Sequence, residues 1–166
     1  MADTLTATNP VLRTRQGQGM GTVKKLMLSG QSWKAGQFLY DGAEGQIKTC
    51  ASSADSGTGG IQYYALADQT DPANNTTYVT VGVIEPDHEF EMNENSTTLG
   101  DSLVGKKVNI VVASNVVTVD KATTSDPAVK IVALGSTYNP AEYDTTDNQA
   151  KCRVRVLREC LDADNA

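Results

Sequence analysis

Four carboxylates alternate with other residues in one short run. Glu85, Asp87, Glu89 and Glu91 are separated by Pro86, His88, Phe90 and Met92. Successive side chains of a strand point to opposite faces, so EPDHEFEM puts four carboxylates on one face and His88, Phe90 and Met92 on the other. Near its end the chain carries the basic counterpart: Lys151, Arg153 and Arg155 alternate with Cys152, Val154 and Val156. Three chemistries suit the acidic run. It can be a solvated sheet face. It can pair with the basic strand, inside one subunit or across a subunit boundary, which makes Glu85, Asp87, Glu89, Glu91, Arg153 and Arg155 subunit-interface candidates. It can offer oxygens to a hard cation such as calcium. Same-side carboxylates on a strand stand about 6.6 Å apart, however, too wide for one ion without loop ligands. The expectation is that neither a metal nor a cofactor is held.

Other catalytic schemes find few parts. His88 is the one histidine, and on this register it sits on the apolar face. Nucleophilic catalysis needs a Ser or Cys beside a base held by a third group, and no GxSxG elbow singles out a serine. A carboxylate pair for glycoside hydrolysis has only the acidic composition behind it. Cys50, Cys152 and Cys160 are odd in number and lack CxxC spacing, which argues against a disulfide framework and a zinc site and favours small apolar core residues. The residues point away from an enzyme.

The totals narrow the class further. At 166 residues the chain has a one-domain length. Its net charge of −6 disfavours nucleic acid as a partner of the whole surface. No apolar run approaches the ~20 residues of a membrane span, and no charged-then-apolar leader follows Met1. Manufacture in a reducing cytosol is expected, with the NxT triplets at Asn74, Asn75 and Asn95 as plain loop sequence. The charge is uneven. Residues 1–34 hold Arg13, Arg15, Lys24, Lys25 and Lys34 against Asp3, whereas most of the chain beyond residue 34 is acidic. Such polarity suits two different neighbours.

The elements that must position these residues read as β throughout. Residues 1–22 have little to bury and are expected as an extended N-terminal arm, residues 23–158 as one β-barrel or β-sandwich domain, and 159–166 as an acidic, solvated tail. Val11, Leu12, Arg13 and Arg15 in the arm, with Lys24 and Lys25 at its junction, are the candidates for contact with a partner. QFLY and QIKTCA flank the turn residues DGAEG as a hairpin. Strands are expected over Ile61–Ala67 and Tyr78–Ile84, with Pro86 breaking the ladder. One helical turn at Asp101–Val104 ends on Gly105 in the left-handed cap position. Lys107–Ala113 and Val116–Asp120 pair around Ser114-Asn115, and their two apolar faces predict a central hairpin. Ala128–Leu134 and Lys151–Leu157 complete the core. The long polar loop 135–149 carries Tyr138 and Tyr143, interface candidates because Tyr brings contact area at low entropic cost.

In this order, SWKAGQFLYDGAEGQIKTCASS, GIQYYALADQ, VGVIEPDHEFEM, LGDSLVGKKVNIVVASNVVTVD, DPAVKIVAL and KCRVRVL resemble the capsid decoration, or cement, proteins of tailed bacteriophages. EFEMNE before a short loop, VGKKVNIV and RVRVL carry most of the resemblance, which spans about residues 32–157. It implies a small β-barrel or sandwich on the outer capsid surface of a virion, made in the host bacterial cytoplasm. It further implies homotrimers over the joints between major capsid proteins, no catalytic residues, no nucleic acid and no membrane. Val11, Leu12, Arg13, Arg15, Lys24 and Lys25 are then the expected capsid-binding residues. The alternative is a carbohydrate- or receptor-binding module of a head or tail fibre, which requires exposed aromatic platforms such as Trp33.

Overall fold

The computed structural model describes residues 8–13, 19–42, 45–50, 60–70, 76–95, 99–122, 124–125, 127–135 and 150–161. Their β-branched and aromatic runs form eleven strands in two antiparallel sheets. The first sheet contains β1 (Val11–Arg13), β7 (Glu89–Asn93), β8 (Lys107–Ala113), β9 (Val116–Asp120), β10 (Val129–Leu134) and β11 (Lys151–Val156), in the order β1-β7-β11-β10-β8-β9. The second contains β2 (Thr22–Leu26), β3 (Phe38–Asp41), β4 (Ile47–Thr49), β5 (Tyr63–Tyr64) and β6 (Tyr78–Val83), in the order β2-β6-β5-β3-β4. The all-β class is as expected, and no ladder closes either sheet into a barrel among the described residues.

Each sheet nonetheless curls. Glu94, just past β7, bridges Val119 of β9, and Met27, just past β2, bridges Ile47 of β4. The larger core lies between the sheets and inside the first, around Phe38, Phe90, Met92, Ile110, Ile131 and Val154. A smaller core of Met27, Trp33, Leu39, Ile47, Ala65, Val79 and Val81 fills the second sheet. Strand alternation explains how one strand serves both, since Phe38 faces the larger core and Leu39 the smaller. The Phe38 and Phe90 rings meet edge to face at 5.2 Å, tying the sheets together.

Several expectations are corrected. The acidic run is not one strand. Pro86 lies in a turn in which the Glu85 carbonyl accepts the His88 N–H at 3.0 Å, and this turn carries the chain from β6 in one sheet to β7 in the other. Glu85 and Asp87 are exposed there, away from the ladder that holds Glu89 and Glu91. The hairpin β8-β9 ends its sheet rather than occupying the centre. Its two apolar faces reflect the curl, which buries Val117 and Val119 completely although β9 is an edge strand. Between Ile61 and Ala67 only Tyr63–Tyr64 joins a ladder. The arm is not free over residues 8–13: Val11–Arg13 extends the first sheet, with Leu12 packed on the larger core. Residues 1–7 and 14–18, including Arg15, lie outside the described residues, as do 136–149 with Tyr138 and Tyr143. The tail begins docked. Arg158–Leu161 forms a helical turn, α1, whose Cys160 is buried and whose Cys160 carbonyl accepts the Ile61 N–H.

The β8-β9 connection is a two-residue turn with Ser114 at φ 50° and Asn115 at φ 64°, the geometry that matches strand twist and favours Asn-Gly. Replacing Asn115→Gly is therefore expected to stabilise the fold by about 0.5 kcal/mol, because glycine adopts positive φ without a Cβ penalty. Urea unfolding measures it, and a loss of stability would contradict this turn geometry.

Candidate functional site

β7 is flanked on both sides, by β1 and by β11, and all five of its residues are buried. That burial includes Glu89 and Glu91. Their register explains how two carboxylates survive there. Glu89 stands opposite Arg13 of β1 and Arg155 of β11, and Glu91 opposite Val11 and Arg153. Directly opposite and diagonal neighbours on one sheet face are within reach of long side chains. Arg155 holds Glu89 Oε1 through Nε at 3.1 Å and Nη2 at 2.6 Å, and Arg153 Nη1 holds Oε2 at 3.2 Å. Arg13 Nη2 reaches Glu91 Oε2 at 3.1 Å, and Lys151 Nζ reaches Oε1 at 3.4 Å. The carboxylates are under a tenth exposed, whereas the four cations are between a fifth and two-fifths exposed.

Among the described residues, this face sets four cations around two carboxylates. Lys130, exposed on β10 opposite Arg155, extends it. The expected acidic–basic pairing is thus present inside one chain, between Glu89, Glu91, Arg153 and Arg155. Arg13, which the sequence assigned to a partner, completes the Glu91 pair. Glu85 and Asp87 take no part in this ladder.

The Glu85–Asp87–His88 turn gathers three candidate cation donors. The candidate ligand atoms of these three residues lie within 4.8 Å of one another. His88 is buried, and its Nδ1 accepts the Glu85 N–H at 3.0 Å. That bond occupies the Nδ1 lone pair and leaves the proton of the neutral ring on Nε2, which faces the Glu85 carboxylate at 3.8 Å. A ring so arranged has no free lone pair for a metal, which leaves the two exposed carboxylates as the remaining donors of this turn.

Lys24 and Lys25 diverge. Lys24 is exposed on β2. Lys25 is bound to Asp41 Oδ2 at 2.8 Å, beside the Tyr63 hydroxyl, which donates to the same oxygen at 2.8 Å. Partial burial works against the Lys25 charge, but the bonds to Asp41 and Tyr63 outweigh it and hold the ammonium above its usual range. Trp33 is buried in the smaller core, so it offers no exposed ring. The largest exposed apolar side chains among the described residues are Tyr78, Val104, Leu66 and Val11. An open depression of about 380 Å³, lined by Leu99, Gly100, Ser102, Leu103, Lys121 and Ala122, carries one charged side chain. No described helix is long and apolar enough to cross a membrane.

No protein family, curated protein or solved structure matches this chain.

The burial of these groups sets two expectations. Replacing Arg153→Ala and Arg155→Ala together strands the Glu89 carboxylate and is expected to cost about 3 kcal/mol in urea unfolding. Adding Glu89→Leu to that pair is expected to recover most of the loss. A loss under about 1 kcal/mol, the value of an exposed pair, would contradict a desolvated Glu89.

The thiols give the second. Burial, with the Glu94 and Glu91 charges, pushes Cys152 up to about 12, and burial with Glu159 pushes Cys160 up to about 11. The folded chain keeps these protons where an unfolded thiol, near 9, has lost them. Their contribution is therefore intact below about pH 9 and lost as pH rises from there through the folded values. Urea midpoints are expected to fall above about pH 9, and thiol labelling near neutral pH is expected to track unfolding. Prompt labelling of the native chain would contradict it.

Proposed function

We propose that this chain is a structural virion protein that binds the outer surface of a phage capsid and cements neighbouring major capsid proteins, acting as a homotrimer. The observation that carries the reading is the cation-topped face of β1, β7 and β11. On a chain of net charge −6, that face concentrates positive charge on a rigid ladder, which suits contact with an acidic protein surface while the acidic remainder favours solubility. The resemblance of the segments between residues 32 and 157 to cement proteins supports the same reading.

In this reading Arg153 and Arg155 face a neighbouring subunit, with Tyr138 and Tyr143 in support. Arg15 and Lys24 meet the capsid together with residues 1–7. A chain segment of this kind can add main-chain hydrogen bonds to a partner's sheet edge. Leu12, Arg13 and Lys25 act indirectly, by fixing where the arm leaves the body, since their side chains are engaged within the chain, whereas the exposed Val11 side chain meets the capsid directly.

The test is co-sedimentation with capsids that lack the protein. Because residues 8–13 belong to the sheet, the informative variant deletes residues 2–7 and carries Arg15→Glu and Lys24→Glu. The intact chain is expected to bind saturably and to release at high salt. The variant is expected to bind at least about tenfold more weakly, a change of roughly 1.4 kcal/mol, with unchanged urea unfolding. Absence of binding by the intact chain would overturn the reading, and undiminished binding by the variant would remove the arm from it.

A further inference from the structure

Residues 8–13 do more than lengthen a sheet, for they fill a groove between the two sheets. On one wall Val11–Arg13 pairs with β7, the Asn93 side-chain oxygen accepts the Thr8 N–H at 3.0 Å, and Asn9 Oδ1 accepts the Val117 N–H of β9 at 3.0 Å. On the other wall the Tyr64 hydroxyl donates to the Pro10 carbonyl at 2.7 Å. Gly36, at φ +88°, comes so close that a Cβ there would stand 2.8 Å from Asn9 Cβ and 2.9 Å from the Pro10 oxygen. Pro10 is buried, Leu12 packs on the larger core, and Arg13 completes the Glu91 pair.

The groove therefore reads a sequence. Asn9 supplies an acceptor to an edge-strand N–H, Pro10 offers a carbonyl and no donor, Leu12 fills an apolar wall, and Arg13 neutralises a buried carboxylate. Each of these contacts is made with side chains or main chain of the body. The same segment of another copy would make the same contacts. The two arrangements differ in the entropy of closing the link between Arg13 and Thr22. A short tether amounts to an effective concentration of about a millimolar, a bias that copies held side by side can match.

We propose that this groove is a strand-acceptor site and that residues 8–13 exchange between copies of this chain, so that the Glu91 pair of one copy is completed by Arg13 of another. Exchange of an identical element is a low-cost route to oligomers, and strand addition supplies main-chain hydrogen bonds as well as side-chain specificity. The inference concerns copies of the chain in solution and does not depend on capsid binding, so either can fail alone.

The experiment uses the full chain with residues 14–18 deleted, which shortens the link and disfavours closure within one copy. Light scattering after size exclusion is expected to give two or three times the monomer mass at micromolar concentration. Adding Gly36→Ala, which intrudes on Asn9 and Pro10, is expected to return the mass to that of a monomer. A folded monomer without Gly36→Ala, or an oligomer that survives it, overturns the proposal. Should the shortened chain fail to fold, the intact chain is warmed at high concentration, cooled and diluted. Oligomers that persist, and that the Gly36→Ala chain does not form, support exchange. Monomer at every concentration overturns it.

Discussion

Two carboxylates buried in the middle of a sheet constrain everything around them. Taking Glu89 and Glu91 out of water carries a large desolvation cost, offset only if cations stand at hydrogen-bonding distance in good geometry. β7 cannot supply those cations. They come from β1 near the start of the chain and from β11 near its end, so the charge requirement draws both ends of the polypeptide onto one strand. It also fixes register. A one-residue slip of β7 would send Phe90 and Met92 among the guanidinium groups and the carboxylates into the core. Hydrophobic alternation and ion pairing thus specify the same alignment.

Consequences spread outward from that strand. Phe90 meets both the Phe38 ring and, at 5.4 Å, the Tyr64 ring, and Tyr64 in turn holds the Pro10 carbonyl. The strand that carries the buried charges therefore joins the two sheets and seats the N-terminal segment. The exposed side of the same arrangement is the positive face. The cations that pair with the buried carboxylates are themselves a fifth to two-fifths exposed, and on the proposed reading a partner meets them there.

Much of this was legible in the sequence, for identifiable reasons. Paired alternation in EFEM and KCRVRV marked both the core faces and the charge complementarity. Asp41-Gly42 and Ser114-Asn115 marked hairpins that form, the first with Asp41 drawn into the ladder opposite Ile47, and Gly105 takes the left-handed conformation anticipated for it. Other features left little local trace. Val11–Arg13 is too short to show a period, and its reason for docking lies some eighty residues away in β7. The split of the acidic run depended on whether Pro86 would merely end a ladder or turn the chain into another sheet. An edge hairpin with two buried faces requires curl, which strand patterning does not encode. Cys160 is buried by a helical turn in a stretch whose acidic composition reads as solvated.

The functional account joins these facts to a mechanical task. On the proposed reading, a rigid body, a face of defined charge and a segment able to add to a neighbour are what a cement needs. Electron microscopy of phage particles assembled in the presence of this chain tests the proposed reading most directly. The account predicts β-rich density of this shape on the outer shell, repeated at joints between major capsid proteins, with the β1-β7-β11 face turned toward an acidic surface. Density confined to the tail or to fibres, or a shell whose exterior lacks it, would contradict the account.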